Sequence, residues 1–90
     1  MESKVKVTLY TRPGCHLCDD MKSVVARIVS ATPRTVTVTE IDISNNRELE
    51  ERYGLEIPVL VMNGRKVAKY RVTEEELRRM VLAGAEEPVP

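Results

Sequence analysis

From Val5 the chain alternates: Val5, Val7 and Leu9 fall on one side of the pattern and Lys6, Thr8 and Tyr10 on the other. A period of two belongs to a strand with one buried face, so "VKVTLY" predicts a first strand. At Cys15 the period changes. Leu17, Met21, Val24 or Val25, and Ile28 recur at helical spacing up to Pro33, which cannot continue a helix because it lacks the amide proton and blocks the preceding turn.

"RTVTVTEIDI", Arg34 to Ile43, is dense in β-branched residues and predicts a second strand. Its apolar phase slips between Val38 and Ile41, which a bulge or a twist would explain. A short second helix is expected next, with N-cap candidates Ser44 to Asn46, Leu49 and Tyr53 four residues apart, and Gly54 as its stop. Val59 to Met62 then predicts a strand, Asn63-Gly64 a tight hairpin turn, and Lys66 to Tyr70 the return strand. In "VTEEELRRMVLAG" Thr73 and Glu76 have the spacing of a capping box, and Leu77, Met80 and Val81 share one helical face.

The expected order is therefore βαβαββα. A strand, helix, strand unit crosses over right-handed into a parallel pair, and a closing hairpin adds antiparallel strands. The fold class is α/β, a mixed four-stranded sheet flanked by helices. Residues 1–85 are read as a single domain and 86–90, within the tail "AEEPVP", as a flexible C-terminal end.

Composition narrows the core and the partners. Phenylalanine and tryptophan are absent, so a chain that is 42% hydrophobic must pack Val, Ile, Leu and Met. Fourteen basic against fourteen acidic residues give a formal charge of zero, which offers no general attraction to nucleic acid or an anionic membrane. No apolar run approaches the ~20 residues of a membrane span, and "MESKVKVTLY" lacks the apolar segment of a signal peptide, so the expected compartment is the cytosol and the expected state a monomer.

In such a compartment a lone Cys-x-x-Cys, here Cys15 and Cys18, points to catalysis or metal more than to a structural disulfide. A sulfur at the start of a helix meets backbone N–H groups that lack intrahelical partners, and the positive end of the macrodipole favours its thiolate. Reactive cysteines in such settings have pKa values of roughly 3.5 to 7.5, against about 8.5 for a free thiol. Arg12 and a protonated His16 would add to this, while Asp19 and Asp20 oppose it from exposed positions. Cys15 is then the nucleophile and Cys18, one turn on, the resolving thiol.

Two other readings share these residues. The pair could supply half of a tetrahedral zinc or iron–sulfur site completed by carboxylates, a second subunit or an external thiol, or it could be two buried apolar side chains. His16 is the only histidine, which limits the metal reading. His16 could also be a plain solvent-exposed residue, Arg12 an ordinary loop arginine, and Tyr10 either a lining of the substrate groove or a cap on the sheet.

Taken together, "YTRPGCHLC", "EIPVLV" and the βαβαββα order resemble the glutaredoxin family of the thioredoxin fold over nearly the whole chain. The "NG" hairpin leading into "RVTEEEL" is most similar to its short glutaredoxin-like branch. The resemblance implies a disulfide oxidoreductase that needs no bound organic cofactor. Its partners would be disulfide-containing proteins, with glutathione as co-substrate or a thioredoxin-reductase-type flavoenzyme as electron donor. It also implies that Ile57-Pro58 is cis and faces the cysteines, with Ile57 offering backbone groups to substrate, and that Arg12 stands where glutaredoxins carry a glutathione-holding lysine.

Two departures from the family pattern bear on substrate. Ala68-Lys69 stands where glutaredoxins have a Gly-Gly pair, and Ile57 where they usually have valine. Against thioredoxins, Leu9 replaces a buried acid and no tryptophan flanks the motif. Of these, Ala68-Lys69 and Ile57 lean the expected preference toward protein disulfides.

Overall fold

In the computed structural model, which describes residues 4–32 and 35–84, the apolar alternation at the start becomes β1, Lys4–Thr11. The helical period becomes α1, His16–Ala31. β2 is Thr35–Asp42, followed by a short 3-10 turn, Ile43–Asn45, and by α2, Arg47–Tyr53. The hairpin is β3, Val59–Met62, and β4, Arg65–Lys69, and the last element is α3, Glu74–Gly84. The described residues thus follow the expected βαβαββα order; the tail at 86–90 lies outside them.

The strands form one sheet in the order β2-β1-β3-β4. β1 and β2 run parallel, from Lys4 opposite Thr35 to Thr11 opposite Asp42, and the β1–β3 and β3–β4 pairs are antiparallel. Alternation sends Val5, Val7 and Leu9 of β1, with Leu60 and Met62 of β3, to one face. There they join Met21, Val25 and Ile28 of α1 and Leu77 and Val81 of α3 in an aliphatic core. The buried stripe of α1 is Cys18, Met21, Val25 and Ile28, so Cys18 belongs to the core side while Leu17 is half-buried at its edge.

Local chemistry sets the ends of the elements. Asn46 caps α2, its side-chain oxygen accepting the Leu49 amide proton at 3.0 Å. Thr73 and Glu76 form the reciprocal capping box, each side chain accepting the other's backbone N–H at 3.0 Å. Asn63 and Gly64 take φ of 52° and 84°, the left-handed pair a two-residue hairpin turn demands.

The structure removes one of the two explanations offered for the phase of β2 and bears out the stop at Gly54. The β1–β2 register is unbroken, so the phase slip in β2 is no bulge; the irregularity falls instead between Leu60 and Val61 of the β3–β4 pair. β2 is an edge strand. Val36 packs against the α1-side core, whereas Glu40 on the same face reaches solvent and pairs with Lys22, and half-buried Ile41 belongs to the opposite face beside Tyr10. Gly54 ends α2 as expected, with right-handed φ −56° and ψ −32°. Glycine is needed there for space: a Cβ would collide with the Glu50 carbonyl oxygen and lie 2.9 Å from Glu50 Oε1.

Candidate active site

Cys15 stands at the junction between the loop that leaves β1 and the first turn of α1. Gly14, at φ 79°, turns the chain, and Cys15, extended at φ −94° and ψ 112°, is the N-cap of α1. Its Sγ accepts the backbone N–H of Cys18 at 3.0 Å, the bond a serine or aspartate oxygen makes at other N-caps. The two cysteines are joined as a disulfide, with Cα atoms 5.2 Å apart. Cys18 is 2% exposed while Cys15 is half-buried, so Cys15 is the more exposed residue of the pair.

His16, the first residue of α1, is exposed. Arg12 does not stand free in its loop: its Nη2 donates to Glu50 Oε1 of α2. Tyr10 points to the α2 side of the sheet and stacks on Tyr53, ring centroids 4.5 Å apart and planes 26° from parallel. Ile57–Pro58 is cis, with Pro58 buried and Ile57 half-buried. The structure therefore joins Cys15 to Cys18, and ties Arg12 and Tyr10 to α2.

Two participants escaped the sequence reading. Glu50 is one; it lies 38 residues from Arg12, and no local period encodes such a pair. Tyr70 is the other. Its backbone N–H donates to the Pro58 carbonyl oxygen at 2.9 Å and its hydroxyl to the Leu55 carbonyl oxygen at 3.0 Å, so one residue ties down both ends of the segment around the cis bond. It does so at φ 69°, a region that non-glycine residues seldom enter.

A groove of about 160 Å³ opens beside the cysteines, its walls including Arg12, Cys18, Asp19, Lys22, Glu40 and Asp42. The Asp42 carboxyl is held below the ordinary carboxylate value of 3.8, chiefly by its bonds to the side chain and amide of Ser44. Lys22, 3.0 Å from Glu40, is held above its ordinary 10.5 mainly by that carboxylate. Both groups are therefore charged at neutral pH. Among the described residues, no three His, Cys, Asp or Glu side chains are grouped to hold a metal ion, and no helix is long and apolar enough to cross a membrane.

A mixed sheet in this strand order, with a Cys-x-x-Cys pair opening its first helix, defines the thioredoxin-fold class, and solved structures bear this out. An X-ray structure of a structural-genomics target from X. campestris superposes with a TM-score of 0.71 at 31% identity, covering 86% of this chain and 96% of that one. Residues 6–82 match the family described as "Glutaredoxin-like domain (DUF836)", and the chain belongs to that family. A glutaredoxin-like protein of Dictyostelium discoideum is 30% identical over 77 residues, 81% of this chain and 71% of its own length. A thioredoxin of Methanocaldococcus jannaschii is 36% identical over 63 residues, 69% of this chain and 74% of its own. Fold, relatives and the bonded cysteine pair together support a redox-type role.

Proposed function

We propose that the protein is a thiol–disulfide oxidoreductase that reduces protein disulfides through Cys15 and Cys18. The observation that carries this reading is the position of the pair: Cys15 at the helix N-cap, half-buried, its sulfur accepting the Cys18 amide, with Cys18 covered behind it. In the reduced protein the same amide and the positive end of α1 favour a Cys15 thiolate.

The thiolate attacks one sulfur of a substrate disulfide, forming a Cys15–substrate disulfide and expelling the other substrate sulfur as thiolate. Cys18, giving up its proton, then attacks Cys15 Sγ; the Cys15–Cys18 bond forms and the second substrate sulfur leaves. Two electrons pass from the dithiol to the substrate; the Cys18 proton goes to one released sulfur, and the other takes from solvent the proton that Cys15 gave up when it ionised. The greater exposure of Cys15 supports this order.

The Ile57–Pro58 segment, pinned by Tyr70, is the platform on which an extended substrate lies, and His16 flanks the nucleophile from the first turn. The protein needs no bound organic cofactor; a second thiol, glutathione or the dithiol of a thioredoxin-reductase-type flavoenzyme, returns it to the reduced state. Variants test the assignment. Cys15→Ser is expected to abolish disulfide reduction, while Cys18→Ser accumulates a substrate adduct on Cys15, seen by intact-protein mass. Undiminished turnover in Cys15→Ser would sink it.

A further inference from the structure

The groove beside the cysteines carries charge that thiol chemistry alone does not require. Both cations in its wall are already paired, Arg12 with Glu50 and Lys22 with Glu40. The two pairs differ in setting. Lys22 and Glu40 are about half exposed, where an ion pair contributes little. Arg12 and Glu50 are 38% and 34% exposed, and Gly54 packs against both: a Cβ there would lie 2.9 Å from Glu50 Oε1 and 3.3 Å from Arg12 Nη2. The end of α2 thus makes room for this contact.

We propose that Glu50 is a specificity residue, which holds Arg12 in an ion pair and so withholds that guanidinium from anionic substrates at the neighbouring cysteines. The inference rests on the oxidoreductase reading above. A free guanidinium presents a planar fork of donors that binds carboxylates with two bonds, and in the loop before Cys15 it would attract any acidic thiol or disulfide. Glu50 engages Nη2, so an incoming carboxylate meets a guanidinium whose charge is already offset by a tethered carboxylate, one that has no association entropy to lose. With Arg12 occupied, Asp19 and Asp42 add negative charge to the same wall. The favoured substrate class is a disulfide whose flanks carry no acidic groups.

A reductant-free experiment isolates this step. Pre-reduced protein is mixed with either of two probes, a glutathione mixed disulfide, which is anionic, or the mixed disulfide of an end-blocked uncharged peptide. Formation of the Cys15–Cys18 bond is followed by alkylation and intact mass in the wild type, Glu50→Gln, Arg12→Gln and the double variant. At low salt Glu50→Gln is expected to raise the rate constant for the glutathione probe about threefold or more while leaving the neutral probe within about twofold.

Adding Arg12→Gln should remove that gain, as should ~0.5 M salt, whereas a merely structural role for Glu50 would move both probes together. An unchanged ratio between the probes in Glu50→Gln, or a gain that survives loss of Arg12, overturns the proposal. A wild type that already prefers the glutathione probe at low salt also overturns it, without recourse to any variant. If the reduced wild type reacts with neither probe, the oxidoreductase reading falls and the proposal with it.

Discussion

Tyr70 shows how much a single side chain can be asked to do. Its φ of 69° costs any residue with a Cβ roughly 1 kcal/mol, yet the tyrosine places a hydroxyl on the Leu55 carbonyl while its amide binds Pro58. Two terms can therefore be separated by substitution. Tyr70→Ala and Tyr70→Gly both lose the hydroxyl bond, but only glycine is released from the backbone penalty. Tyr70→Gly is predicted to be more stable than Tyr70→Ala by about 1 kcal/mol in chemical denaturation. Equal stabilities would mean that the backbone is not held in the left-handed region. Nothing in the local sequence announced this residue, which reads as the end of a strand until the contacts of residues 55 and 58 are known.

Among the elements, those whose signals are local were legible in advance. β1 and α1 follow from periodicity, the hairpin from Asn63-Gly64, and α3 from the Thr73 and Glu76 box, all of which the structure retains. β2 was harder to read because, among the described residues, it lies at the sheet edge, where one buried face is less strongly specified and the phase can drift without a bulge. The Arg12–Glu50 pair was invisible for a related reason, since it joins a loop to a helix 38 residues away. Because α3 supplies Leu77 and Val81 to the core, its start matters to the whole sheet. Thr73→Ala should remove one half of the capping box and cost about 1 kcal/mol of folding free energy, while Thr73→Ser should cost much less. Denaturation midpoints of the two variants check this, and equal losses would argue that the methyl group of Thr73, not its oxygen, holds the helix.

At the scale of the molecule, a formal charge of zero leaves recognition to local features. Cys15 comes from the β1–α1 loop, Cys18 from α1, the cis segment from the approach to β3 and its tie from the end of β4. The parallel β1–β2 pair and the antiparallel β3 bring these distant stretches into one framework, while α2 reaches the Arg12 loop through Glu50. The central claim is that this framework exists to cycle one disulfide. The most direct test is a redox titration of the protein in glutathione buffers of varied ratio, quenched with an alkylating mass tag and read by intact mass. A reversible two-electron conversion between dithiol and Cys15–Cys18 disulfide, with a midpoint between roughly −270 and −120 mV, is the predicted result. Cysteines that show no transition across that window would contradict the account.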